Sequence, residues 1–456
     1  MEVIFKIDMP KAVLSALDIL KSGGFDSYVV GGCVRDSILK RIPSDWDITT
    51  SALPNQIKNC FGSYKTIDTG IKHGTVTVLV DGFSIEITTF RIDGDYLDSR
   101  HPESVVFTNK IEDDLSRRDF TINAMAYSPD DGLIDVFGGL DDINAHIMRC
   151  VGDAKTRFEE DALRILRMFR FAAQLGFTID EKSLTSGIEC AHLLKRISKE
   201  RIATELNKIF LSENPEPILE LLSKNGIMNL IIPQWEFTVG FDQKSIFHDR
   251  TIDMHIIQAV VNYSGDDLVV KLALLLHDIG KPSTFTVDED GRGHFYGHDR
   301  VGADMSMEIL RDLKYDNQTI NSVHNLVYYH DQKFETKYSV NKILGKLGET
   351  DFYRLIEVKK ADALAHIPDS AAHRLDFVRK MIEFVDEIIT EESVLKVKDL
   401  AIDGNDLKKM GFVEGRKIGD LLNNILDMVM RGDIQNDRDV LLKYSEECFC
   451  DFDRKK

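Results

Sequence analysis

Apolar and polar positions change their rhythm once along this chain, near residue 155. Before it, short apolar runs alternate with Gly, Asp and Asn turns. The runs YVV (28–30), WDITT (46–50), TVTVLV (75–80) and FSIEITTF (83–90) predict strands, the last by its period-two alternation. A helix is expected after Gly32, carrying Val34, Ile38 and Leu39. Beyond residue 155, FEEDALRILRMFRFAAQL, KERIATELNKIFL and PEPILELLSKN space their apolar residues as amphipathic helices, and helical spacing persists to the end. The fold class expected is a mixed α/β (α+β) head followed by an all-α body. Four parts are expected: 1–150, 151–240, 241–370 and 371–456, with linkers near 232–250 and 367–371.

Length agrees with several domains, since 456 residues exceed what one ordinary core organises. No apolar run approaches the ~18–20 residues of a membrane span, so no membrane partner is expected. The N-terminus MEVIFKIDMPKAVLSAL lacks a basic stretch followed by a long apolar one, and a cytoplasmic location is expected. Six scattered cysteines without a C-x-x-C pair fit reduced thiols better than a disulfide framework. A net charge of −19 argues against a nucleic-acid partner, because phosphate binding needs local positive charge. The segment 151–210, however, holds eleven Lys and Arg against nine Asp and Glu, so a local binding face survives the objection.

Candidate chemistry in the head begins at Gly31 and Gly32, where a strand turns into a helix. Such a turn lets backbone N–H groups approach a phosphate, although a Gly-Gly turn alone is usually only a turn. Asp45 and Asp47, two apart on a strand, leave the same face. Adjacent carboxylates repel unless a cation separates them, and hard ions such as Mg²⁺ prefer these oxygens. Glu86 could add a third carboxylate, with Asp113 and Asp114 as rivals. Three converging carboxylates would suit two-metal phosphoryl or nucleotidyl transfer. In RRDFTINAMA (117–126), Arg117 and Arg118 cannot both enter a core, so one is solvated or meets an anion. Asp161 and Arg164 are spaced to share a helix face, with Arg167 and Arg170 continuing the row. That pair is either a plain salt bridge or an acceptor beside a donor, able to read a base edge.

In order, VVGGCVRD with DWDIT, RRDFTINAMA, EDALRILRMFRF and RISKERIATELNKIF (196–210) resemble the motifs of the bacterial class II tRNA nucleotidyltransferases. These CCA-adding enzymes are close relatives of the bacterial poly(A) polymerases, and the resemblance runs from about residue 10 to 225. It implies a DNA polymerase β-like head on a helical neck and body. It also implies that Gly31, Gly32 and Arg35 touch the nucleotide, that Asp45 and Asp47 hold Mg²⁺, and that Arg118 contacts sugar or phosphates. Asp161 and Arg164 would read the base, with Arg167 and Arg170 near the triphosphate. Cytosine and adenine present similar donor and acceptor layouts to such a pair, whereas guanine and uracil place acceptors against the carboxylate. The polar loop FRIDGDYLDSRHPESVVFTN (90–109) is of the kind that favours addition of all three nucleotides, with A-only addition as the alternative.

A second set lies in the body. LLLHDIGKP (274–282) holds His277 and Asp278, joined by His255, His294, His298, His330, Asp331 and Asp362 at successive helix ends. Imidazole with carboxylate suits Mn, Fe, Ni or Zn better than Ca²⁺. The pattern resembles the HD superfamily of metal-dependent phosphohydrolases. That resemblance implies a primary site of His255, His277, Asp278 and Asp362, with Asp331 as rival to Asp362. His298 and His330 match positions of a second metal, and a decayed fold that merely grips tRNA is the alternative. The function expected is therefore Mg²⁺-dependent CCA addition, whole or partial, to tRNA 3′ ends from CTP and ATP. A poly(A) polymerase or A-adding enzyme is the alternative within the class, and an HD-type nucleotide phosphohydrolase the alternative outside it.

Overall fold

The computed structural model describes residues 6–94, 104–245, 247, 249–391, 396–413 and 415–453. The chain divides into two compact units, Met1–Pro233 and Gln234–Lys456. The division falls within the stretch 232–250; the expected head and the expected neck up to Pro233 share the first unit.

Among the described residues the head carries the strands β1 (Ser27–Val30), β2 (Asp47–Thr50), β3 (Lys65–Gly70), β4 (Thr75–Val80), β5 (Phe83–Thr89), β6 (Arg91–Asp93), β7 (Val105–Phe107), β8 (Met125–Ser128) and β9 (Gly132–Asp135), and Ile147–Met148 pairs outside its sheet with Thr178–Ile179. Seven of them form one sheet in the order β3-β4-β5-β2-β1-β8-β9, and β6 pairs with β7. β-Branched residues fill the inward positions: Val76, Val78 and Val80 alternate with half-buried neighbours on β4, and Ile85 and Ile87 are buried on β5. Each such side chain contributes about 1.5–3 kcal/mol of burial. β2 and β5 run parallel with Asp47 opposite Glu86, a register that puts the two carboxylates side by side. The sequence pattern missed β8, because MAYS is buried at all four positions and shows no alternation.

After the sheet, one expected helix is in fact two. Ala154–Glu160 is capped by Asp153, whose carboxylate accepts from the Thr156 N–H at 2.8 Å. Asp161 then leaves the helical region (φ −137°, ψ 103°), and a second helix, Leu163–Leu175, follows. Leu163, Leu166, Phe169 and Ala173 turn to the core as their spacing predicts. The break corrects the picture of Asp161 and Arg164 on one helical face: Asp161 stands before the helix that carries Arg164. Helices Lys199–Phe210 and Glu216–Lys224 follow.

The second unit is helical apart from a short hairpin, Thr286–Val287 with Gly293–His294. Helices Ile252–Asn262, Leu268–Leu276, His298–Asp312, Asn317–Tyr329 and Glu349–Leu364 surround its first core. Helix Pro368–Thr390 runs through both the expected linker at 367–371 and the expected boundary at 370/371. Three further helices, Gly404–Lys409, Arg416–Arg431 and Arg438–Asp453, bury a separate cluster of Leu407, Ile418, Leu421, Leu422, Ile425 and Leu441. Among the described residues no helix is long and apolar enough to cross a membrane.

Candidate active site and metal centre

In the first unit, the turn after β1 is set by Gly31, whose φ of 81° with ψ of −128° only glycine adopts without strain. A Cβ on Gly31 would also stand 3.0 Å from Arg118 Nη1. Asp45 and Asp47 flank the buried Trp46, and both carboxylates are exposed beside Glu86 in a cleft of about 1160 Å³. Burial of its surroundings, then Asp45 and Glu86, push the Asp47 carboxyl up to about 6, with Arg118 pulling the other way. A cation bound beside these carboxylates would favour their charged forms. The rival carboxylates are engaged elsewhere. Asp114 is fully buried and binds Arg117 at 2.8 Å, Arg118 at 3.3 Å and the Thr49 hydroxyl at 3.2 Å. Asp113 accepts from the Thr108 hydroxyl at 2.7 Å.

Arg118 is thus anchored through one end of its guanidinium, while its Nε is buried without a hydrogen-bond partner. Such a donor is costly unless a ligand meets it. Arg35 is buried and donates to Asn123 Oδ1 at 2.6 Å. Asn123 in turn donates to Asp119 at 3.2 Å, and Asp119 takes Arg167 through Nε and Nη2 at 2.8 and 2.6 Å. Although burial alone would raise it, Arg167 holds the Asp119 carboxyl down at about 2. The guanidiniums of Arg35, Arg167 and Arg170 all lie over or beside the Phe171 ring, 5.0, 5.3 and 4.1 Å from its centroid. Arg170 pairs with buried Glu205 at 3.1 Å, and burial lowers its pKa to about 10. Sequence reasoning missed Asp119, Asn123 and Phe171. The i,i+4 spacing of Asp119 and Asn123 inside RRDFTINAMA was the available signal.

The side chains of Asp161 and Arg164 reach different partners. Asp161 Oδ1 accepts from the Leu163 N–H at 3.0 Å, and its Oδ2 lies 3.3 Å from Arg201. Arg164 pairs with Glu160 and donates to the carbonyls of Arg157 and Arg117 at 3.0 and 3.1 Å. The turn still keeps the two residues adjacent, joined by a backbone hydrogen bond of 3.0 Å. Of the loop 90–109, residues 95–103 lie outside the described ones.

In the second unit, five histidines and two aspartates converge. Three overlapping trios form: His255, His277 and Asp278; His255, Asp362 and His366; and Asp278, His298 and His330. All seven residues are buried. His255 Nε2 is 3.0 Å from Asp362 and 3.4 Å from Asp278; His277 Nε2 is 3.2 Å from Asp278 and 3.4 Å from Asp362. The other Asp278 oxygen lies 3.5 and 3.7 Å from His298 and His330. Each of four rings gives its Nδ1 to a backbone carbonyl: His255 to Ala365 (3.3 Å), His277 to Leu274 (2.7 Å), His298 to Phe295 (2.8 Å) and His330 to Val327 (2.6 Å). That bond leaves Nε2 as a lone pair in the neutral ring. Yet His255 and His277 face each other through Nε2 at 3.4 Å, and His298 and His330 at 3.3 Å. Between two neutral rings the facing lone pairs would repel; a cation between them removes the conflict, as does a proton on His277, whose pKa rises to about 10 against its burial because Asp278 and Asp362 face it. Asp331 lies outside all three trios, and His294 pairs with Asp288 at 2.8 Å instead. His366 was missed, because it lies just past the end of helix Glu349–Leu364, which carries Asp362, and that end could not be placed from pattern.

Three family models match this chain: the poly A polymerase head domain (residues 27–149), a probable RNA- and SrmB-binding site of polymerase A (176–238) and a putative tRNA nucleotidyltransferase domain 2 (300–444). A CCA-adding enzyme of Leuconostoc mesenteroides is 34% identical over 96% of this chain and 97% of its own. Among solved structures, the Bacillus stearothermophilus CCA-adding enzyme in complex with CTP is similar with a TM-score of 0.74 and 27% identity, covering 98% of this chain and 100% of its own. The Thermotoga maritima CCA-adding enzyme complexed with tRNA shares the fold, with a TM-score of 0.60 and 20% identity over 97% and 96%.

Proposed function

The chain belongs to the family of the CCA-adding enzymes, and from that membership we infer that it adds CCA to tRNA 3′ ends from CTP and ATP. The observation that carries this is the cleft where Asp45, Asp47 and Glu86 crowd beside Arg118, whose Nε waits for an acceptor. The family implies a divalent metal, typically Mg²⁺, and three crowded carboxylates with one held up near 6 fit a hard cation. Asp45 and Asp47 would hold it, with Glu86 on the neighbouring strand. Bound Mg²⁺ would supply positive charge for the α-phosphate and the attacking oxygen.

The remaining work falls to this chain's own residues. The terminal 3′-oxygen of tRNA bonds to the α-phosphorus as the bond to the pyrophosphate oxygen breaks, and the hydroxyl proton passes to solvent. The Gly31–Gly32 turn lets the backbone approach the triphosphate. Arg118 donates to sugar or phosphate, and the Arg35, Arg167 and Arg170 cluster offsets triphosphate charge. Asp161 and Arg164 meet the base edge. Incubating tRNA that lacks CCA with each labelled NTP singly, then with CTP and ATP together, tests this: C then A addition is expected. Incorporation of ATP alone would favour the poly(A) or A-adding alternative. Asp45→Ala or Asp47→Ala should abolish both additions with tRNA binding near normal, and near wild-type incorporation by either overturns the metal-ligand roles.

We propose a second activity for the body, favoured by the three overlapping trios of buried histidines and aspartates: an HD-type centre for Mn, Fe, Ni or Zn. His255, His277, Asp278 and Asp362 would hold one ion, and His298 and His330 with the second Asp278 oxygen would hold another. Such a centre would supply a nucleophilic water and neutralise a phosphoester. In the net step, water oxygen bonds to phosphorus, the ester P–O bond breaks, and the leaving alcohol takes the proton. Metal analysis of the purified chain tests it, and a protein that binds no transition metal returns the body to a tRNA grip.

A further inference from the structure

Two cavities open onto the metal centre, of about 430 and 650 Å³, and Arg374, Asp362 and His330 line both. Arg374 belongs to helix Pro368–Thr390, in a stretch whose sequence carries no readable motif. Ser370, Arg374, Phe377 and Val378 face the larger cavity at the i, i+4, i+7 and i+8 spacing of one helical stripe. The Arg374 guanidinium lies 3.3 Å from Asp362 and 3.7 Å from Asp331, and its side chain is 37% exposed. Five donors in a planar fork, held by two long contacts, leave most of the group able to meet an incoming anion.

Resting on the metal-centre reading, we infer that this cavity takes a phosphate monoester of a flat aromatic group, with Arg374 as its phosphate-positioning residue. Three observations carry the inference. Arg374 and Asp362 stand at the junction of the cavities, so a phosphate between them touches both the guanidinium and the centre. The larger cavity has the size of a mononucleotide-scale ligand. Phe377 and the 53%-exposed Phe247 line it, and rings there can stack on an aromatic leaving group.

The test uses the full chain reconstituted with Mn²⁺, with the His277→Ala/Asp278→Ala chain as background for metal and phosphate bound at the head. Metal content, melting temperature and calorimetric affinity for orthophosphate and phenyl phosphate are measured together. Arg374→Ala should keep its metal and melting temperature yet bind orthophosphate at least tenfold more weakly, and Arg374→Lys should recover part of the loss. Phe377→Ala should leave orthophosphate binding intact and weaken phenyl phosphate about tenfold, corresponding to ~1.4 kcal/mol of stacking. Unchanged phosphate affinity in Arg374→Ala, or metal lost together with phosphate, overturns the positioning role while leaving the metal centre standing. Equal loss of both ligands in Phe377→Ala overturns the aromatic preference. A wild type that takes up no more metal than the background overturns the metal-centre reading and this inference with it.

Discussion

Asp119 joins two arginines of the proposed nucleotide site that the sequence separates by more than a hundred residues. It binds Arg167 directly and Arg35 through Asn123. Its carboxyl, near 2 in the folded chain and about 3.9 when unfolded, contributes about 2 kcal/mol of stability. A depressed carboxyl stabilises above its unfolded value, so this contribution is complete above about pH 4 and is lost as pH falls toward 2. Asp119→Asn should therefore be less stable than wild type by about that amount at pH 7, with the gap narrowing by pH 3. Urea midpoints at pH 7, 5 and 3 check it, and a gap constant to pH 3 contradicts the ion-pair account. In the proposed base-reading role the two Asp161 oxygens would act differently. Asp161→Asn keeps an oxygen for the Leu163 N–H but puts an amide donor beside Arg201, where the exocyclic amino group of C or A would arrive. Selectivity for CTP and ATP over UTP and GTP should fall by roughly ten- to a hundredfold, the span of about 1–3 kcal/mol for a bidentate base contact. The four kcat/KM values decide it: a uniform loss with all four nucleotides makes Asp161 a structural residue.

Elements in both units meet their sites at glycines that tolerate no side chain. Gly31 gives the turn between β1 and the helix Gly32–Ile38 its positive φ, a conformation costing a Cβ-bearing residue about 1–3 kcal/mol. In the second unit the demand is contact instead. A Cβ on Gly280 would lie 2.5 Å from the His298 carbonyl oxygen and 2.6 Å from the Gly302 nitrogen, both rigid backbone. Helix His298–Asp312 therefore sits where it does because residue 280 is glycine. Gly280→Ala should push that helix outward, carrying His298 away from Asp278 while His255 and His277 keep their places. Metal analysis should find that the variant loses one class of bound ion before the other. Wild-type stoichiometry in Gly280→Ala would show that the helix contact does not position His298.

At the scale of the whole molecule, the two sites share no residue and lie in separate compact units. His277→Ala/Asp278→Ala should remove any metal-stimulated phosphoester hydrolysis and spare CCA addition. Parallel loss of both activities would show that the units depend on each other. Chelation should also lower the melting temperature of the second unit alone, because an ion present at a thousand times its Kd stabilises the folded state by ~4 kcal/mol. With a net charge of −19, the chain must bind tRNA through local positive charge, so its tRNA affinity should fall steeply with salt. An affinity indifferent to salt would contradict that.

What the sequence alone determined was whatever depends on near neighbours along the chain. The strands with period-two alternation, the amphipathic helices, the carboxylate pair Asp45–Asp47 and the ordered motifs are all local patterns, and these led to the family. The histidines clustered in the second unit were legible for the same reason, each sitting near a helix end. Tertiary structure decided what depends on register and on partners distant in sequence. Only the parallel pairing of β2 with β5 makes Glu86 the carboxylate beside Asp47, while the salt bridges of Asp114 withdraw it from that role. The broken helix at Asp161 followed no periodic signal, because the apolar spacing continues across a single extended residue. Arg374 reaches the histidine–aspartate cluster from a stretch without a motif, since a helix stripe reveals its neighbours only once the opposing helices are packed against it.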